Sequence, residues 1–216
     1  MPFDSALLAI STDVVLFSIR NERLEVLLVG QQEDCWSLPG GHVSVDEDLD
    51  ACALRHLEQQ TGVRGVYLEQ LYTFGRPDRD PQQRLVSVAY YALVPSQKLH
   101  LCDAVESNKL RWSAIDKLPA LALDHGEIVA TAHQRLAAKL AYSTIALQFL
   151  PERFTLSELQ GVYETILGET LDKRNFRKRL LAMECIEATG ELSRQGNYRP
   201  ARLYRTKHPG RIEIIK

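Results

Sequence analysis

Between Gly41 and Val63 the chain reads GHVSVDEDLDACALRHLEQQTGV, a segment dense in groups that could meet cations or phosphates. Hard divalent cations such as Mg²⁺ require oxygen ligands and compensating negative charge, and in catalysis they neutralise charge building on a phosphate. Two adjacent carboxylates one helical turn beyond a third would present such a cluster on one helix face. Here the adjacent pair is Gln59 and Gln60, preceded by His56. Glutamine offers an oxygen without charge, and His56 is a poor ligand for Mg²⁺. Glu47 and Glu58 remain, but Glu58 points elsewhere on the helix. Cys52 and His56, four apart, could suggest a softer metal; two ligands are too few for a closed zinc site, and a packed pair is the simpler reading. The segment is therefore expected to hold no metal and no catalytic residue. The plain alternative is an ordinary amphipathic helix after a glycine turn, with Leu49, Ala53, Leu54 and Leu57 inward.

A second cluster follows, where Tyr72 to Pro81 reads YTFGRPDRDP and Arg84 comes soon after. Arg76, Arg79 and Arg84 each carry a planar fork of donors suited to phosphate oxygens, and Asp78 or Asp80 can accept from ribose hydroxyls. Proline, aspartate and glycine also favour turns, so a polar connection between strands is the competing explanation. Gly40 and Gly41 would let the backbone approach a ligand closely. With Glu47 these residues form the expected ligand-binding set, and Arg55 is expected to brace the loop before the helix.

Such residues need a scaffold. Residues 11–30, STDVVLFSIRNERLEVLLVG, give two apolar, β-rich runs around a polar stretch, which predicts a hairpin. A third strand is expected at Cys35 to Leu38, then a helix opened by Asp46 or Asp48 and closed by Gly62. Strands over 65–74 and 85–94 and around 109–112 lead to a long helix from about 124 to 147. Pro151 ends that pattern and separates a domain over 1–150 from one over 151–216.

In the second domain, Thr155-Leu156-Ser157-Glu158 is a capping box, and Leu159, Val162, Tyr163 and Ile166 form the apolar stripe of its helix. Asp172 can cap a second helix over 173–186, and the short turn containing Gly168 makes the pair a helix-turn-helix candidate. On a helical wheel Phe176, Leu180 and Met183 share one stripe, with Arg174 and Lys178 opposite and Lys173, Asn175, Arg177 and Arg179 on the flanks. Leu181 does not fit this wheel. An apolar back and a basic front suit a helix in a DNA major groove, where Arg and Lys reach phosphates and guanine edges and Asn reads adenine. Gly190-Glu191 is expected to turn the chain into extended runs over 192–194 and 201–206. Their basic tip adds Arg194, Tyr198, Arg199 and Arg202 to the DNA-binding set. A winged helix used only for protein contacts is the alternative.

Residues 1–150 hold 13 basic against 19 acidic side chains, whereas residues 151–216 hold 13 against 9. Between Lys173 and Arg211 there are 11 basic and 3 acidic residues, which points to a polyanion partner for one half only. No run of 18 apolar residues exists, and the start MPFDSALLAI lacks the pattern of an export signal, so a cytoplasmic protein with no membrane partner is expected. Cys35, Cys52, Cys102 and Cys185 show no C-x-x-C spacing and fit free thiols.

The register of Gly41, Glu47, Arg55, Leu57, Gly62 and Val63 resembles a Nudix box, whose three central Glu positions are here His56, Gln59 and Gln60. Residues 72–81 resemble the FGxPxRDP loop of Nudix proteins that recognise ADP-ribose. Leu171 to Arg205, including NYRPARLYR, resembles the C-terminal winged helix of the Nudix-related transcriptional regulators, the NrtR family. The resemblance covers nearly the whole chain. It implies an α/β fold, an N-terminal Nudix α/β/α sandwich with a C-terminal winged helix-turn-helix domain. It further implies a homodimeric repressor of NAD metabolism genes that binds double-stranded operator DNA, takes ADP-ribose or a related nucleotide as effector without cleaving it, and uses no cofactor. Two alternatives stay open: a sugar-responsive regulator of the same family, and an active Nudix ADP-ribose pyrophosphatase using Glu47, Glu58 and an acidic residue of the 78–80 loop.

Overall fold

A computed structural model describes residues 8–31, 35–99, 110–193 and 200–215. The expected hairpin is β1 (Ala9–Arg20) and β2 (Arg23–Gly30). Asn21 and Glu22 turn it with φ of 49° and 58°, the left-handed pair that matches strand twist. β3 (Trp36–Ser37), β4 (Gly40–His42), β5 (Tyr67–Phe74), β6 (Leu85–Leu93) and β7 (Leu110–Ala114) complete a mixed seven-stranded sheet. β1 lies inside it, parallel to β6 and antiparallel to β4. Val14 to Phe17 and Val26 to Leu28 are completely buried, as strands covered on both faces must be apolar throughout. β4, in the run after Pro39, was not expected; it brings Gly40 beside Asp13.

α1 (Leu49–Thr61) is opened by Asp48, whose side chain accepts from Ala51 N, and closed by Gly62 at φ 76°. Its buried face is Cys52, Ala53, Leu57 and Thr61, while Leu54 is exposed. The helix is turned away from the expected face because Cys52 packs on β1, its Sγ 3.4 Å from Thr12 Oγ1.

α2 (His125–Leu140) stops short of the expected end near 147. Ser143 Oγ donates to Lys139 O (2.7 Å), Ile215 N donates to Tyr142 O (2.7 Å) and Thr144 N donates to Glu213 O (3.0 Å). These groups are drawn out of the helical ladder by side-chain and tail partners, and a 3₁₀ turn over Ile145–Phe149 follows.

Next come β8 (Phe154–Thr155), α3 (Leu156–Leu167), α4 (Lys173–Ala182), β9 (Ile186–Ser193) and β10 (Ala201–Thr206), with strand order β8-β10-β9. This is a winged helix. Both bonds of the Thr155–Glu158 capping box are present, and Leu159, Val162, Tyr163 and Ile166 are buried. On α4, Leu180 is buried and Phe176 and Met183 half-buried, as the wheel requires; Leu181 is exposed. α4 ends before the expected 186, because Glu184 is left-handed (φ 51°) and Cys185 and Ile186 turn inward to begin β9. Gly190 does not make the expected turn. It lies within β9 at φ 82°, in a bulge where residues 189–191 face the single residue Leu203. Arg194, Tyr198 and Arg199 lie outside the described residues.

Two compact units result: Met1–Phe17, Glu25–Leu93 and Leu99–Ala132 form one, and Ser18–Leu24, Val94–Lys98 and His133–Lys216 the other, so α2 contributes to both. Among the described residues no helix is long and apolar enough to cross a membrane.

Candidate ligand and nucleic-acid sites

α1 faces the glycine loop with residues that lock it. Gln60 Nε2 donates to Gly40 O (2.8 Å), and Gly40 N donates to Gln60 Oε1 (3.0 Å). This two-point clamp needs a group that donates and accepts; an ionised glutamate would keep one bond and set an oxygen against Gly40 O. His56 lies against Gly41, with Nε2 3.1 Å from His42 O, and exposed Gln59 accepts from Arg55 Nη1 (3.4 Å). A Cβ on Gly40 would stand 2.2 Å from Thr12 O, and one on Gly41 would stand 2.4 Å from the His56 ring. Backbone cannot yield, whereas an imidazole can swing. Gly40→Ala is therefore expected to cost about 3 kcal/mol in urea unfolding and Gly41→Ala about 1 kcal/mol; equal losses would contradict this packing.

Glu47 is held by Arg55, whose Nε donates to Oε2 (2.9 Å) and whose Nη2 donates to Oε1, and it accepts from Ser44 N (2.9 Å). Arg55 thus braces the loop. Its hydrogen bond, then that of Ser44 N–H, draws the Glu47 carboxyl from 4.5 down to about 2. A depressed folded value means the pair stabilises fully above pH 4.5 and that this support fades as pH falls towards 2. Glu47→Gln should accordingly flatten the decline of Tm across that interval, and an unchanged decline would remove Glu47 from the acid response.

The Nudix resemblance implies a divalent cation, and these residues do not fit one. Glu47 is already neutralised by Arg55, Gln60 is turned onto Gly40, and His56 and Gln59 bring no negative charge. Among the described residues no three His, Cys, Asp or Glu side chains converge as metal ligands.

The arginines of the 72–84 segment have three different fates. Arg79, expected on a ligand, is only 4% exposed: Nε and Nη2 donate to Asp124 Oδ2 and Oδ1 (2.9 and 2.6 Å), and Nη2 lies 3.5 Å from Asp13 Oδ2. It is drawn inward because buried carboxylates demand a cation. Arg84, also expected on a ligand, donates to Gly75 O (2.9 Å) and Arg76 O (3.3 Å), so its fork ties the loop together. Arg76 keeps its fork open, 63% exposed, with only 3.8 Å approaches to Asp78 and Glu127. Asp78 is exposed, and Asp80 accepts from Gln82 N (2.9 Å) to form the turn.

Asp13, Asp124 and His125 join this site unannounced by any motif. Asp13 accepts from Ser87 Oγ (2.5 Å) and faces His125 Nε2 at 3.6 Å, while Leu38 N donates to His125 Nδ1 (2.9 Å). Burial pushes the imidazole's value down. Burial alone would raise the Asp124 carboxyl, but the Arg79 hydrogen bond and charge outweigh it and lower it. Arg79 Nη1 is buried with no hydrogen-bond partner among the described residues. The available signal was an aspartate within the apolar run STDVVLFSI, since a carboxylate inside a core strand needs a partner.

On α4, Lys173, Arg174, Arg177 and Lys178 are exposed and carry no ion pair among the described residues, and Asn175 is exposed beside them. Arg202 is exposed on β10. Arg179 differs, since its Nη2 donates to Leu140 O and Ala141 O (3.4 Å each).

A mixed Nudix sheet with amides at the acidic helix positions, followed by a winged helix with a basic reading helix, defines a Nudix domain joined to a DNA-binding module. The NUDIX domain model matches residues 10–132 and the NrtR DNA-binding winged helix domain model residues 146–206. The chain is 36% identical over 203 residues to the ADPR responsive transcriptional repressor NtrR of Acinetobacter baylyi, spanning 90% of this chain and 80% of that protein. Shewanella oneidensis NrtR complexed with a 27mer DNA is similar in structure (TM-score 0.83, 34% identity, 92% of this chain and 93% of that one). The Nudix domain of the same protein complexed with ADP ribose is also similar (TM-score 0.53, 30% identity, 63% and 93%). The chain belongs to the NrtR family of Nudix-related transcriptional regulators.

Proposed function

We propose that the protein is a cytoplasmic, homodimeric repressor of NAD metabolism genes that binds ADP-ribose or a related nucleotide within residues 1–150 and operator DNA through residues 151–216. It binds the nucleotide without hydrolysing it. The observation that carries this reading is the Gln60 clamp on Gly40, which uses a helix position suited to a metal-bound carboxylate to hold a glycine loop shut against β1. What remains is a recognition site. The open fork of Arg76 and the Nη1 of Arg79, which has no hydrogen-bond partner among the described residues, suit a diphosphate, and Asp78 suits ribose hydroxyls, whereas Gly40, expected on the ligand, has its N–H and carbonyl taken by Gln60. The names of the relatives, one ADPR responsive and one complexed with ADP ribose, support the same effector.

Lys173, Arg174, Asn175, Arg177, Lys178 and Arg202 supply the DNA face, with Arg194, Tyr198 and Arg199 of the wing retained from the sequence. A dimer follows because one winged helix reads too few base pairs for tight specific binding. Effector binding favours a geometry that cannot place both reading helices in successive major grooves, and so lowers DNA affinity. Titrating the protein against the promoter region of its own gene neighbourhood, at fixed salt with and without ADP-ribose, tests this. The expected result is tight binding that ADP-ribose weakens. Rapid, Glu47-dependent release of AMP from ADP-ribose and Mg²⁺ would overturn it.

A further inference from the structure

We infer that Arg179, although on the reading helix, does not contact DNA but fastens α4 to the end of α2 and is the side chain through which the state of α2 reaches the reading helix. The inference rests on the effector reading above. Arg179 Nη2 donates to Leu140 O and Ala141 O, at the C-terminal end of α2. The last carbonyls of a helix lack partners within it and carry its partial negative charge, so a guanidinium is well placed there. Around this contact lies a cleft of about 390 Å³, lined by Leu140, Ala141, Leu167, Leu171, Phe176 and Arg179 itself. Side chains do not fill the space between the end of α2 and α4; one long side chain crosses it. In the wall of the same cleft, Phe176 of α4 makes an edge contact with Tyr163 on α3 (centroids 5.1 Å apart).

The stretch that receives Arg179 is itself anchored. Glu213 N donates to Thr144 Oγ1 (2.9 Å), Thr144 N to Glu213 O (3.0 Å) and Ile215 N to Tyr142 O (2.7 Å), so the C-terminal segment seats residues 142–144. At its other end α2 starts immediately after Asp124, the partner of Arg79. α2 is one continuous helix of 16 residues, with Asp124 just before its first residue and Leu140 as its last. A phosphate that engages Arg79 alters the pairing of Asp124 at the head of α2, and Arg179 transmits the new position of its tail to α4. Among the described residues Lys173, Arg174 and Lys178 have no such tie, and they stay available to phosphates and bases.

The test compares the full-length protein with Arg179→Gln, Arg179→Lys and Arg174→Gln. Operator binding is measured by fluorescence anisotropy over a salt series, with and without saturating ADP-ribose, and nucleotide binding by calorimetry. Arg179→Gln should keep its nucleotide affinity and its salt dependence, while DNA affinities with and without ADP-ribose converge to within about twofold; Arg179→Lys should retain most of the wild-type ratio. Arg174→Gln should lose about one unit of the slope of log affinity against log salt and keep the ratio. A merely destabilised winged helix would bind less in both conditions and leave the ratio unchanged, which would overturn the inference. A slope reduced by about one in Arg179→Gln would overturn it as well, because it marks a lost phosphate contact. If ADP-ribose has no effect on DNA binding by the wild type, the effector reading fails. The transmitting role then fails with it, and the salt series decides what Arg179 does on α4: an unchanged slope keeps it off the DNA, and a reduced slope marks a phosphate contact and sinks the fastening role as well.

Discussion

Replacing Arg174 and Lys178 together by alanine is expected to weaken operator binding by about 2 to 6 kcal/mol, roughly 30-fold to 2 × 10⁴-fold in Kd. Both side chains project from the face of α4 opposite Leu180, are exposed, and carry no ion pair among the described residues. Each therefore loses only its contact with DNA when truncated. They stand four apart on one helix face, where like charges repel, so Tm should hold or rise slightly. Salt dependence should fall with the affinity, since Lys and Arg displace counterions from the duplex. Anisotropy titrations at several salt concentrations, paired with thermal unfolding, check both halves. Unchanged affinity would mean that α4 is not the reading helix.

Gln60→Glu is expected to destabilise the protein by about 2 to 3 kcal/mol without creating a hydrolase. The exchange restores the residue type of the Nudix pattern but removes the donor to Gly40 O and sets a carboxylate oxygen against it, in a loop that has no room to retreat from Thr12. One new carboxylate is not a cation site, because Glu47 stays paired with Arg55 and His56 stays against Gly41. Acidification should narrow the stability gap to wild type, since a protonated carboxyl regains the donor. Urea unfolding against pH and an assay for AMP release are the readouts. Vigorous Mg²⁺-dependent turnover by this single variant and not by the wild type would show that the clamp, and not missing charge, limits hydrolysis.

Much of this molecule could be read locally. Asp48 and Gly62 bound α1 as capping rules require, Thr155 and Glu158 close their box, and the wheel of α4 puts Leu180 inside and Arg174 outside. The chain departs from its local preferences where a distant group competes with them. α2 ends at Leu140 because the C-terminal segment takes the next backbone groups, and Gly190 became a bulge because β10 imposes its register.

By itself the sequence determined the main strands and helices, the caps of α1 and α3, the buried stripes of α3 and α4, and the amides where a Nudix helix carries acids, because each depends on φ, ψ and side-chain type within a few residues. Only the tertiary structure decided what the polar side chains hold. Gln60 meets Gly40 across 20 residues, Arg79 meets Asp124 across 45, and Arg179 turns from the DNA face to the end of α2 across 39. A charge or an amide is satisfied by whatever lies within about 3 Å in space, and the folded chain sets those neighbours.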